Sequence, residues 1–243
     1  MLTIFKKEIV AFFSSLIGYI VVGVFLLLMG LVLWVFPDYS VLDGNYATLD
    51  ALFGIAPMVF LFLLPAVTMR MLAEERQSGT IELLATRPIT DAQIVGGKFL
   101  AAWALVLYAL LPTALYYFTV HSLGSPPGNL DSGGIAGSYI GLLLLAGAFA
   151  AIGLFASSLT NNQIVAFVLA TFLCFFMYLG FDFLSRLPIF YGKSDDVVQA
   201  LGIDYHYNAL SRGVLDTRDL VYFLSVVVVF LAATSLSLGR RRW

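Results

Sequence analysis

Six stretches of this chain run for 18 to 25 residues without a single Lys, Arg or Glu: Leu16–Phe36, Ala51–Thr68, Phe99–Val120, Ile135–Leu159, Ile164–Leu184 and Leu220–Leu238. A bilayer core about 30 Å thick is crossed by about 20 apolar residues in helix. Backbone polar groups find no water there, so such a stretch must pair its own N–H and C=O groups as a helix. The alternation of apolar and polar residues that marks a barrel strand is absent. The chain is 60% apolar and 12% charged, and 243 residues of that composition cannot cover an apolar interior with a polar outside. The pattern predicts an all-α integral membrane protein of six transmembrane helices.

The segment ahead of the first span, 1–15, sets Lys6, Lys7 and Glu8 among Leu2, Ile4, Phe5, Ile9, Phe12 and Phe13. It reads as a short amphipathic helix at the membrane interface. A cleaved signal peptide fits less well, because the apolar run that follows is too long and no small-residue cleavage site comes after it. With the N-terminus inside, nine Lys and Arg fall on the cytoplasmic side and four on the outer side, an asymmetry that predicts both termini in the cytoplasm. Two connections exceed a turn, 69–98 inside and 187–219 outside; loops of that length usually carry structure or function of their own.

Several chemistries are excluded. The spans hold no chain of ionisable residues of the kind that carries protons or ions through a bundle; Asp182 and Arg186, four apart at an outer boundary, read as a surface ion pair. Gly96-Gly97-Lys98 resembles the end of a phosphate-binding loop, but Phe99 stands where Ser or Thr is required and Ala92 where the first glycine belongs. Gly137-Ser138-Tyr139-Ile140-Gly141 has tyrosine at the nucleophile position of an elbow. His121 and His206 lack the spacing of metal ligands, and the lone Cys174 excludes an intramolecular disulfide. No catalytic residue, metal site or nucleic-acid site is expected.

Small residues on the fourth span, from Gly137 and Gly141 to Gly147 and Gly153, permit close helix approach, within one subunit or at a dimer seam. Pro57, Pro65 and Pro112 are expected to bend the second and third spans. The inner connection has more to say. Glu74, Glu75 and Arg76 extend the second span, Gly79 is placed to end it, 80–86 fits a short amphipathic helix, and Pro88 stops that helix. Thr90 and Gln93 form a capping box for the next helix. The result is a charged helix–turn–helix protrusion suited to docking a protein, and an ordinary positively biased loop fits the same residues.

The run E-E-R-x-x-G-T-I-E-L-L-x-T-x-P-I-T from Glu74 to Thr90, followed by Q-I-V-x-G-K-F-L-A, resembles the signature of ABC-2 transporter permeases. Ser211–Leu220 and Ile152–Thr160 agree, and the likeness is nearest to the permeases of gliding-motility-associated ABC systems of Bacteroidetes. The resemblance implies a single type V exporter-like transmembrane domain over 1–243, with a cytoplasmic coupling helix between spans 2 and 3. It implies a dimeric ABC ATPase that carries ATP and Mg²⁺ while this chain carries no cofactor, and a second permease or auxiliary membrane subunit with a periplasmic domain. Glu74, Glu75, Arg76, Gly79, Thr80, Glu82 and Pro88 would touch the ATPase. Tyr205, His206, Arg212, Gly213 and Asp216 would cap the exit or meet the outer partner.

Overall fold

The structure is a computed structural model that describes residues 1–42, 46–80, 89–126, 128–188, 192 and 195–239. Every regular element among these residues is helical. A short α1 (Leu2–Ser14) turns at Ser15 into α2 (Leu16–Trp34), the first span. The second span is α3 (Asp50–Gln77), and the third is α4 (Asp91–Leu110) continued through a 3₁₀ turn into α5 (Ala114–Leu123). The fourth is α6 (Ser132–Leu159); the fifth is α7 (Gln163–Phe175) with a π turn at Phe176–Gly180 and α8 (Phe181–Ser185). Short α9 (Asp195–Gln199) and α10 (Ile203–Leu210) precede the sixth span, α11 (Thr217–Gly239). Among the described residues six helices are thus long and apolar enough to cross a membrane, and each of the six expected spans falls on one of them.

Spans 2 and 3 overshoot on one side. The 28 residues of α3 rise about 42 Å at 1.5 Å each, so with Asp50 at one boundary its final turns, from about Arg70, stand clear of the hydrocarbon. The start of α4 before Phe99 stands clear on the same side, and six crossings bring Met1 and Gly239 to that side too. Helix starts follow their caps: Asp131 Oδ1 accepts from the Gly134 N–H at 2.9 Å, and Asn162 Oδ1 from the Ile164 N–H at 2.9 Å. Pro112 converts one turn of span 3 to 3₁₀ geometry, and the Thr113 hydroxyl donates to the Leu110 carbonyl there. Pro57 and Pro65, by contrast, leave α3 unbroken as one helix.

The core is built around α6, whose small residues admit the other elements closely. A Cβ on Gly153 would overlap the Thr68 hydroxyl of α3; one on Gly141 would come within 2.7 Å of Leu210 Cβ, and one on Gly137 within 2.6 Å of the Gly213 carbonyl oxygen. These three glycines are used inside the subunit. The opposite arrangement holds at the periphery, where Leu27, Val168, Phe172, Val221, Val228 and Leu236 face outward, as the acyl chains of a bilayer require.

Gly153→Ala should therefore destabilise. Alanine in a helix ordinarily gains about 1 kcal/mol over glycine, whereas overpacking a tight contact costs about 1–3 kcal/mol. Thermal unfolding of the detergent-solubilised protein should show a lower midpoint for Gly153→Ala and an equal or higher one for Gly23→Ala, where a Cβ meets nothing within 4 Å.

Candidate coupling site

The side bearing Met1 and Gly239 carries a ring of four charges. Lys98 Nζ lies 2.8 Å from Glu8 Oε1 and 2.9 Å from Glu75 Oε1; Lys7 Nζ lies 2.7 Å from the same Glu75 oxygen and 3.6 Å from Glu8 Oε1. The Lys98 side chain is 1% exposed. Three elements meet here: α1 brings Lys7 and Glu8, α3 brings Glu75, and α4 brings Lys98. Each arrives by helical register. Ile4, Glu8 and Phe12 form the buried stripe of α1, and Ile94, Lys98, Ala101, Ala102 and Leu105 that of α4. Gly97 lets the two stripes approach, since a Cβ there would sit 2.9 Å from Ile4 Cβ and from the Met1 carbonyl oxygen. The Gly-Gly-Lys run thus serves helix packing and an ion pair. Burial works against the charge on Lys7, but Glu75 and Glu8 outweigh it and raise its pKa above the ordinary lysine value. A raised lysine stabilises fully below the unfolded value near 10.4 and loses that only at higher pH, so its contribution is constant across physiological pH.

Around the ring lie the residues read from the sequence as a docking surface. Glu74 is held by Arg70, which donates from Nε at 2.8 Å and Nη2 at 3.2 Å. The Arg76 carbonyl accepts from the Gly79 N–H at 3.3 Å, and Gly79 ends α3 at φ +69, the left-handed conformation that favours glycine at this position. Thr80 Oγ1 is 2.9 Å from Ser78 Oγ. Glu82 and Pro88, with the rest of 81–88, lie outside the described residues, and so does the expected coupling helix beyond Thr80. The capping box is present, with the Gln93 N–H donating to Thr90 Oγ1 and the Thr90 N–H to Gln93 Oε1, both at 3.3 Å. One contact had no precedent in the sequence. Ser157 Oγ of α6 donates to the Met69 carbonyl at 2.9 Å and accepts from the N–H groups of Ala73 at 3.0 Å and Leu72 at 3.2 Å. This hydroxyl enters the backbone ladder of α3 where α3 leaves the membrane, a placement that bends helices or lets them hinge.

The outer residues are spread over two local clusters on the far side. His206 Nδ1 lies 2.6 Å from Asp219 Oδ1, its Nε2 lies 2.9 Å from the Ala200 carbonyl oxygen, and its ring stacks on Tyr222 at 3.9 Å with Tyr205 edge-on. These contacts tie α10 to α11. Gly213, at φ +80, packs against Gly134 and Gly137 of α6, next to the exposed Arg212. Asp216 Oδ1 accepts from the Arg218 N–H at 2.9 Å at the start of α11. Asp182 and Arg186 pair at 2.7 Å, as their spacing predicts.

Removing Lys98 would leave Glu8 and Glu75 with only the half-exposed Lys7. Breaking a buried ion pair by deleting one partner costs about 3–5 kcal/mol, so Lys98→Met should lower the unfolding midpoint sharply, and adding Glu8→Gln should recover part of the loss. Additive losses in this double-mutant cycle would contradict the ring. On the outer side, burial raises the Asp204 carboxyl, with Asp182 adding to it, against hydrogen bonds from Tyr178 and Asn208. A carboxyl raised in the fold stabilises below its unfolded pKa of about 3.9 and loses that as pH rises through the folded value. The ionised group is a cost at neutral pH, so Asp204→Asn should unfold at higher temperature than the unaltered chain at pH 7, with the difference shrinking on acidification.

Comparison with known proteins adds one assignment. No curated protein matches the chain. The family model described as "ABC-2 family transporter protein" matches residues 39–193, more than half of the sequence, taking in spans 2 to 5 and the connection that carries the ion ring's Glu75 and Lys98. The chain belongs to the ABC-2 family: it is a multi-pass membrane permease subunit of an ABC transporter, whose ATPase is a separate subunit.

Proposed function

We propose that this chain receives the stroke of its ATPase through the segment between α3 and α4 and passes it to spans 1, 2 and 3 together. The observation that carries this reading is the ion ring. The two helix ends that flank the connection, α3 at Gln77 and α4 at Asp91, are tied by Glu75 and Lys98 to each other and to α1, which leads directly into span 1. A displacement of the connection therefore cannot move one helix alone without separating buried opposite charges, at a cost of several kcal/mol. Ser157 sets the pivot at Met69–Ala73. For ATP to drive movement, the ATPase dimer must bind the two positions with different affinity. ATP and Mg²⁺ belong to that partner in this reading, since Gly97 and Lys98 are engaged in packing and the ring. The charge asymmetry favours a ring in the cytoplasm of an inner membrane, and the sequence likeness favours a gliding-motility-type system. There, a second permease and an auxiliary subunit with a periplasmic domain would meet Tyr205, His206, Arg212, Gly213 and Asp216.

A second reading has an observation of its own. Most buried hydroxyls among the described residues of the spans are engaged with backbone carbonyls: Thr68 with Leu64, Thr113 with Leu110, Ser138 with Gly134 and Ser211, Ser158 with Phe155, and Thr234 with Phe230; Thr171 is the exception, its Oγ1 shielded and without a partner among them. Such a core gives little polar lining to a route through one chain. It favours a membrane scaffold that recruits an ATPase and does mechanical work on a periplasmic partner, or a path that runs between subunits.

The experiment is purification of the tagged chain from its native membrane. An ABC ATPase should co-purify, and Glu82→Ala or Gly79→Leu should lower both its recovery and its hydrolysis rate severalfold. Unchanged recovery and hydrolysis in both variants would overturn the docking reading. Ser157→Ala should leave recovery unchanged but lower hydrolysis by about threefold or more, the scale of a coupling element worth about 0.5–2 kcal/mol.

A further inference from the structure

On the side opposite the ring, His206 presents both of its ring nitrogens to hydrogen-bond acceptors. Nδ1 lies 2.6 Å from Asp219 Oδ1 at the start of α11, and Nε2 lies 2.9 Å from the Ala200 carbonyl oxygen in the turn between α9 and α10. A neutral imidazole carries a single N–H, so it can satisfy only one of the two. The other nitrogen would then point a lone pair at an oxygen within hydrogen-bond distance. Both contacts are made only when the His206–Asp219 pair holds two protons, as imidazolium on carboxylate or as imidazole on carboxylic acid. The Tyr222 ring stacks on the imidazole at 3.9 Å, an arrangement that suits a cation over an aromatic face. The two side chains are only 12% and 11% exposed, so water does little to replace a missing partner.

We propose that this pair is a pH-sensitive latch: with two protons it clamps the turn 200–202 to the start of α11, and with one it leaves that turn on a single tie. The remaining tie is the Tyr222 hydroxyl, which donates to the Leu201 carbonyl at 2.6 Å. The release is local, because α10 itself is held by buried Ile203, Tyr207 and Leu210, with the Tyr207 hydroxyl donating to the Phe53 carbonyl at 2.7 Å. Tyr205 of α10 meets the imidazole edge-on, and Asp204 is engaged by Tyr178 of the π turn and by Asn208. Among the described residues Asp219 is the one charged side chain paired with His206. Because the fold favours the form with more protons, the clamp is complete at low pH and weakens as pH rises. Histidine is the side chain whose ordinary charge change falls between about pH 5 and 8.

Hydrogen exchange of the detergent-solubilised chain reads the latch at the Ala200, Leu201 and Gly202 amides, which donate to the carbonyls of Asp196, Val198 and Gln199. Their protection, taken over the intrinsic exchange rate at each pH, should fall about tenfold between about pH 5 and 9, the scale of one buried hydrogen bond left unmade. Asp219→Asn separates the latch from a merely structural contact. An asparagine amide can donate to Nδ1 while Nε2–H donates to the Ala200 carbonyl, so one proton suffices and protection should stay level across the range. His206→Gln, which does not titrate, should be level too, whereas His121→Gln should retain the fall. Protection that does not change with pH in the unaltered chain, or that falls equally in Asp219→Asn or His206→Gln, would overturn the proposal.

Discussion

Lys98 is a full positive charge with almost no access to water, and the arrangement of this end of the molecule follows from that. Removing an ammonium from water costs several kcal/mol even after relaxation, and one carboxylate recovers little of it unless the geometry is close and further hydrogen bonds complete the shell. Two glutamates within 2.9 Å meet that demand. They can do so only if α1 lies against α4 and α3 extends past the membrane far enough to carry Glu75. The two glycines before Lys98 belong to the same requirement, since a larger residue at Gly97 would hold α1 away and strand the charge. An interfacial helix, a long second span and a Gly-Gly-Lys run are thus three consequences of one buried cation.

The rest of the bundle is held by a different force. Lipid is as apolar as the side chains, so burying Leu between spans gains little over leaving it in acyl chains; close packing and internal hydrogen bonds must supply the association. That is why α6 is central and rich in small residues. Gly153 against Thr68, and Gly141 and Gly137 against Leu210 and Gly213, bring backbones nearer than any larger residue allows. Hydroxyls such as Ser138 and Ser157 then bond across to neighbouring backbone. Tight packing on α6 and a charge ring on α4 anchor α3 at two heights, with Ser157 between them at the membrane boundary.

Much of this is legible in the sequence wherever the governing interaction is local. The spans follow from uninterrupted apolar length, the start of α4 from Thr90 and Gln93, the end of α3 from Gly79, and the Asp182–Arg186 pair from a spacing of four. The ring is harder to see, because Lys98 and Glu8 lie 90 positions apart and a lysine beside a span is ordinarily a topology marker. A trace is present nonetheless: Glu8 falls on the Ile4–Phe12 face, and Lys98 on the Ile94–Leu105 face. A charge on an apolar stripe requires a partner, and matching the two stripes would pair them. Ser157 leaves no such trace, since a serine within a small-residue face has no spacing that distinguishes a packing role from a hydrogen bond into another helix. The effect of a proline is likewise not local: Pro57 and Pro65 leave α3 continuous while Pro112 sits in a 3₁₀ turn, because a proline fixes its own dihedral but neighbouring helices decide what the helix around it does.

The two anchors on α3 also bear on direction. At the membrane boundary Ser157 adds side-chain bonds to the α3 backbone at Met69, Leu72 and Ala73 that can re-form in more than one arrangement, since a hydroxyl is both donor and acceptor. Beyond it the ring holds through Lys98, whose buried charge is expensive to part from Glu8 and Glu75. In the proposed reading, a load on the connection would move α1, the end of α3 and the start of α4 as one block, with the compliance at Met69–Ala73. Deeper in the membrane, Gly153 and Thr68 lock α3 to α6 only about one turn away. A rigid lever on a soft joint over a locked fulcrum would, in that reading, turn a small displacement at the surface into a tilt, with no need for the apolar span itself to deform.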